Sequence, residues 1–201
     1  MRYAMIAACS VAVLVAALVA VAVAGPAPLV LALGMSVVIG FGWPAATGIA
    51  ARHRHNVIMT AAGVAAALLV QFLPGQQLVW LPAVVGVALM TVFAAELVRG
   101  EGAEHRLESA IASTAGVLAA VSSSGWIALA GDYRATGPDP ALLVVVGAVL
   151  AALVALVGGR VIAAAPKSSP KRGVVALGVT PVAFLGVGAV FTARLVSTVV
   201  V

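Results

Sequence analysis

The densest group of chemically able side chains lies between residues 96 and 109. It holds Glu96, Arg99, Glu101, Glu104, His105, Arg106, Glu108 and Ser109, and with them four of the chain's six acidic residues. Oxygen and nitrogen donors together can hold a divalent cation. A carboxylate with a histidine can also act as acid and base on a phosphate-bearing substrate such as a lipid headgroup. The plainer reading is a solvated connection with local pairs. Glu96 and Arg99 stand three apart, an attractive spacing on a helix, whereas Glu101 and Glu104 at the same spacing repel. Glu108 falls in a first helical turn, where the helix dipole favours negative charge. Such pairs are common and weak, so the plainer reading is preferred.

A second group is Arg52, His53, Arg54 and His55. It could bind an anion, a phosphate or lipid headgroup, with imidazoles that titrate near neutral pH. The simpler use is a basic anchor that fixes the orientation of the chain in a membrane. The two groups are expected on the same side and could meet. A third feature is a pair of helix-break candidates. Trp43 and Pro44 follow Gly40 and Gly42, and Gly178, Thr180 and Pro181 precede Gly186 and Gly188. Proline inside a helix removes a backbone donor and bends the axis. Broken helices mark substrate sites in some transporters, but Gly and Pro are common in membrane helices, so a simple kink is the preferred reading. Ser122, Ser123 and Ser124, with Ser109, Ser113 and Thr114 before them, offer hydroxyls for bonds across helices or back to their own carbonyls.

No phosphate-binding glycine loop, HExxH, GxSxG or Cys/His metal spacing occurs in the sequence. The single cysteine, Cys9, excludes an intramolecular disulfide. The sequence therefore assigns no catalytic residue, no metal ligand and no cofactor.

The elements that must position these groups follow from composition. The chain has 201 residues, 64% hydrophobic and 8% charged. Soluble domains are about half apolar and about a quarter charged, so most of this surface must face lipid. A spanning helix needs about 20 mostly apolar residues. Seven stretches qualify, at about 3–24, 28–51, 56–73, 78–98, 107–130, 141–165 and 173–191. Continuous apolar runs without alternation exclude barrel strands, and backbone groups in lipid must then bond within a helix. The fold class expected is an all-α integral membrane bundle of seven spans, forming a single polytopic domain over 1–201. The first run is longer than the apolar core of a signal peptide, so a retained first helix is expected rather than a cleaved leader.

Orientation follows from the basic residues in alternate connections. Arg2, Arg52, Arg54, Arg99, Arg106, Arg160, Lys167, Lys171 and Arg172 fall on one side, and Arg134 and Arg194 on the other. That imbalance places the amino terminus and the basic connections in the cytoplasm and the carboxyl terminus outside, in the cell (plasma) membrane. Trp43, Trp80 and Trp126 then fall near span ends, where an indole suits the interface. The net charge of +5 and pI near 10.4 are explained by these dispersed anchors, so no nucleic-acid partner is expected.

Three functional readings remain. The first is a small permease, or transporter component, for an uncharged or weakly polar solute, motivated by the Gly/Pro-broken second and seventh helices and the near-absence of soluble structure. The lack of a midplane Asp, Glu or Lys argues against an ion-driven carrier. The second is a non-catalytic membrane subunit or regulator of a larger complex. The third is a lipid-headgroup enzyme at the cytoplasmic face using Glu101, Glu104 and His105 with Arg52 or Arg54. The partners expected are the lipid bilayer and either another membrane protein or further copies of the chain.

Overall fold

A computed structural model describes residues 2–23, 25–49, 52–73, 78–100, 105–135, 137, 140–164 and 170–200. Among them every regular element is helical: α1 (Arg2–Val23), α2 (Ala27–Thr47), α3 (Arg52–Phe72), α4 (Leu81–Val98), α5 (Arg106–Ser122), α6 (Gly125–Ala135), α7 (Pro140–Ala164), α8 (Lys171–Phe184) and α9 (Gly186–Val200). Helices α5 with α6, and α8 with α9, each continue one another across a short interruption. The described residues thus hold seven helices long and apolar enough to cross a bilayer. It is a multi-pass integral membrane protein.

Local chemistry sets the helix ends. Pro28 lies in the first turn of α2, where its missing N–H costs nothing. Helix α2 ends at Gly48, whose φ of 75° closes a left-handed cap with its N–H on the Pro44 carbonyl. Pro44 therefore sits inside the helix, which stops one turn later, short of the expected boundary at 51. Pro82 occupies the first turn of α4, and Pro170 precedes α8.

Lipid-facing and buried stripes separate by helical spacing. Val11, Val15 and Val19 of α1 and Val87, Met90, Phe93 and Leu97 of α4 are exposed, at the three- and four-residue steps that share a face. These stripes contact hydrocarbon. The core collects Ile39, Met59, Val117, Trp126 and Leu150, all buried.

Helices α2 and α8 make the closest backbone approach at the end of the bundle that carries the basic residues. A Cβ on Gly42 would lie 2.5 Å from the Ala176 Cβ and 2.6 Å from the Arg172 carbonyl oxygen. On α8, Gly173 sits over Ala46, and Gly178 sits over Ile6 and Cys9 of α1, whose Ser10 hydroxyl donates to the Gly178 carbonyl at 2.7 Å. Small residues allow this proximity in lipid, where packing rather than water exclusion holds helices together. Gly178, expected at a break, is thus a packing seat within a continuous helix.

Several boundaries differ from expectation. Arg52 to His55 form the first turn of α3 rather than a loop. Residues 131–135, expected in a hydrophilic connection, continue α6 and carry Asp132 and Arg134 on a helix. The last span continues to Val200, which puts Arg194 on α9. A bond between Asp132 and Arg194 at 3.0 Å rewards both extensions. Two tryptophans are also not interface anchors. Trp126 is completely buried. Trp43 packs over Gly116 and donates its indole N–H to the Ala112 carbonyl at 2.7 Å, tying α2 to α5. Trp80 alone of the three is largely exposed at the start of its span. Trp43→Phe keeps the ring over Gly116 but loses the donor. It is expected to lower stability by about 1 kcal/mol, read as a lowered thermal midpoint in detergent.

Candidate functional site

The residues with the greatest chemical capacity meet at the basic end of α3, α4 and α5. Glu96, in the last turn of α4, has its side chain only 5% exposed. Its Oε1 accepts from the Ser109 hydroxyl at 2.5 Å and lies 2.9 Å from Nε2 of His55. Its Oε2 accepts from Arg99 Nη1 at 2.7 Å. The His55 approach is off the axis of the ring N–H, so it is an electrostatic contact more than an aligned hydrogen bond. His55 is itself fully buried, and its Nδ1 lies 2.8 Å from the Ser113 hydroxyl. One carboxylate thus gathers groups from three helices. In a medium of low polarity an unpaired carboxylate would be very costly. Here Arg99 balances its charge while two hydroxyls complete the network. A cavity of about 310 Å³ opens beside it, lined by Thr47, Gly48, Ile49, His105, Glu108 and Ser109. Ser109 therefore stands between the carboxylate and that opening.

Only part of the expected polar cluster is gathered here. His55 joins Glu96 and Arg99, so the basic and acidic groups do meet. His53 and Arg54 are exposed on the other side of α3, along its face toward α4. His105 and Glu108 face each other at 3.6 Å with both side chains more than 70% exposed, which is a solvated pair. Arg106 is half-buried. Glu101 and Glu104, and the side chain of Arg52, lie outside the described residues. Among the described residues, no group of three or more His, Cys, Asp and Glu side chains gathers where it could hold a metal ion.

A second site lies deeper in the bundle, where the two interrupted spans touch. Helices α5 and α6 part at Ser123 and Ser124, and α8 and α9 part at Leu185. The combined spans cover Arg106–Ala135 and Lys171–Thr198, so both interruptions fall near the middle of their spans. They pack directly on each other. A Cβ on Gly125 would lie 2.2 Å from the Gly186 carbonyl carbon, and one on Gly186 would lie 2.2 Å from the Ser122 carbonyl oxygen. The exposed backbone groups are satisfied locally. Ser123 and Ser124 donate to the carbonyls of Ala120 and Val121, each at 2.7 Å. The indole of Trp126 donates to the Val182 carbonyl at 3.1 Å, across the crossing. Ser36 of α2 lies 3.3 Å from the Ser123 hydroxyl. Pro181 lies inside α8, and the second interruption comes one turn later at the single residue Leu185. Thr180 meanwhile bonds back to the Ala176 carbonyl at 2.7 Å.

Beyond the crossing, away from the basic end, α6 and α9 stay packed together and are joined by the Asp132–Arg194 pair. With α7 they enclose a cavity of about 270 Å³, lined by Leu129, Tyr133, Leu143, Val146, Ala193 and Ser197, with Asp132 and Arg194 also on its wall. Leu129 and Ala193 stand about one and two turns beyond Gly125 and Gly186, which at 1.5 Å per residue places the cavity roughly 6–10 Å past the crossing.

No known family, curated protein or solved structure matches the chain. The site must therefore be read from its own chemistry.

Sequence reasoning missed three participants. Ser113 was grouped with packing hydroxyls, although Ser109 and Ser113 are four apart and so share the face of α5 that meets Glu96 and His55. Tyr133 and Asp132 were placed in a loop. The interruption at Ser123 had one available signal, three consecutive serines followed by glycine inside an apolar run.

Proposed function

We propose that this chain is a small permease of the cell membrane, passing an uncharged or weakly polar solute, with its basic end in the cytoplasm. The observation that carries the reading is the contact of two discontinuous helices at mid-depth directly below a cavity. In transporters, discontinuous helices supply polar backbone at the membrane centre and allow one half of a span to move against the other. In this reading α6 and α9 are the halves that move, against α5 and α8, which pack on α2 and α3. The cavity is apolar apart from Tyr133, Ser197 and the Asp132–Arg194 pair, whose charges compensate each other. At about 270 Å³ it lies at the small end of ligand cavities, which run from about 300 Å³ upward. A neutral molecule smaller than a typical drug fits that description. The buried Glu96 network fits a clamp that holds α3, α4 and α5 together while the halves move. The headgroup-enzyme reading has less support, because His105 is exposed and pairs, among the described residues, with the exposed Glu108.

Reconstitution into proteoliposomes tests this. Solute influx, followed by light scattering with a panel of small neutral polyols, amides and sugars, is expected to exceed that of protein-free vesicles for at least one solute. Ala193→Trp, which fills the cavity, is expected to lower that flux at least tenfold. Val149→Trp on the exposed face of α7 should leave it unchanged. If no solute moves faster than through bare lipid and the chain purifies in fixed ratio with a second protein, the subunit reading takes its place.

A further inference from the structure

Helices α3 and α4 leave a long groove on the outer surface of the bundle. Its larger section, about 510 Å³, is lined by small and apolar side chains including Ala61, Ala65, Leu69, Val84 and Val87, with Trp80 at one end. A second section of about 480 Å³ shares Val57, Ile58 and Thr91 with the first and adds His53, Arg54 and Ala95. The two sections therefore join as one shallow groove along the helix pair. From Arg54 to Leu69 it runs roughly 22 Å at 1.5 Å per residue, longer than the roughly 15 Å of one leaflet's hydrocarbon. The one polar group along its middle, the Thr91 hydroxyl, is already donated to the Val87 carbonyl at 2.8 Å. Nothing in the groove asks for a polar ligand until its basic end.

At that end the chemistry changes. His53 and Arg54 are exposed beside the end of the groove, and Arg54 has no carboxylate partner among the described residues. A cation with no carboxylate partner among the described residues, at the end of an apolar groove long enough for an acyl chain, is complementary to one class of molecule. We propose that this groove seats a phospholipid with an anionic headgroup, its acyl chain between α3 and α4 and its phosphate on Arg54 and His53. Arg54 and the neighbouring Glu96 network thus divide the work of the first turn of α3. His55 turns inward to the carboxylate, and His53 and Arg54 face the lipid. The site is independent of the permease reading, since none of its residues lines the cavity beside α6 and α9.

Native mass spectrometry of the whole chain tests the proposal. The protein is released from bilayers holding equal amounts of phosphatidylglycerol and phosphatidylcholine with identical acyl chains. The wild type is expected to retain phosphatidylglycerol over phosphatidylcholine by at least fivefold. Arg54→Gln should reduce that preference about fivefold, the factor for one basic residue at an anionic surface. Ala65→Phe, which narrows the groove without touching the cation, should lower retention of both lipids alike. Arg194→Gln, at the opposite end, should change neither. Excess inorganic phosphate should not displace the lipid, because the acyl chain contributes to its hold. Equal retention of the two lipids by the wild type would overturn the proposal. So would a preference that survives Arg54→Gln, or a second copy of the chain bound with no lipid retained.

Discussion

Glu96→Ala is expected to destabilise the protein by about 3 kcal/mol, the cost of stranding the partners of a buried charge. The loss falls mainly on Ser109, which would keep a buried hydroxyl without its acceptor, while the fully buried His55 loses the charge facing it. Arg99 adds less, because its side chain is 15% exposed and can swing toward the surface. This is why the low end of the range for broken buried pairs applies. Glu96→Gln preserves the shape and an acceptor for Ser109 and so should lose less than alanine. Glu108→Ala is the comparison. Its carboxylate is exposed, and its removal should change stability by less than about 0.5 kcal/mol. Thermal unfolding of the three variants in one detergent checks the order: Ala largest, Gln smaller, Glu108→Ala near zero. Equal effects for Glu96→Ala and Glu108→Ala would mean that the carboxylate is not buried among helices.

The second large effect is expected at the crossing of the interrupted spans. Gly125→Val and Gly186→Val each push a side chain into backbone that lies within 2.2 Å of where the Cβ must stand. Backbone cannot move aside as the tip of a long side chain can. The two spans would have to separate by more than an ångström, breaking the Trp126 bond to Val182 and the fit around a fully buried indole. A loss of several kcal/mol follows, in the range of severe overpacking, about 3 kcal/mol or more. Gly34→Ala and Gly86→Ala provide the contrast. Nothing lies within 4 Å of a Cβ at either position, and alanine gains about 0.5–1 kcal/mol over glycine inside a helix. These two variants should be neutral or slightly stabilised, while the crossing variants fall sharply or fail to accumulate in the membrane.

The parts of this architecture that were legible in the sequence are those set by the solvent. Lipid demands long apolar helices, so the count of seven and most span positions could be read from hydropathy and turn residues alone. Ends were less legible, because a helix can carry polar residues past the hydrocarbon if they find partners. Asp132 and Arg194 do this by pairing across α6 and α9, and neither sequence position announces the other. The link of Glu96 to Arg99 followed from a three-residue spacing. Its link to His55, 41 positions earlier, depends on the packing of α3 against α4 and is not encoded in any local pattern. Glycines carried the greatest ambiguity. Gly42, Gly178 and Gly186 look alike in sequence, yet the first two are seats for neighbouring helices within unbroken α2 and α8, and the third opens α9 at an interruption. Serine is similarly ambiguous. Ser10 and Ser36 donate to carbonyls within intact helices, whereas the same back-bonding at Ser123 and Ser124 accompanies a break.

The central claim is that α6 and α9 enclose a water-accessible vestibule that closes where the two interrupted spans cross. It is tested most directly by thiol labelling. In a Cys9→Ser background, Ala193→Cys places a thiol on the vestibule wall and Val149→Cys places one on the exposed, lipid-facing side of α7. A membrane-impermeant charged thiol reagent is added to intact cells. Rapid labelling of the Ala193→Cys variant with the Val149→Cys variant unreactive is the predicted result, because only a thiol in contact with water ionises and reacts. If both variants remain unlabelled, or react at the same rate, α6 and α9 do not hold a vestibule and the permease account fails with it.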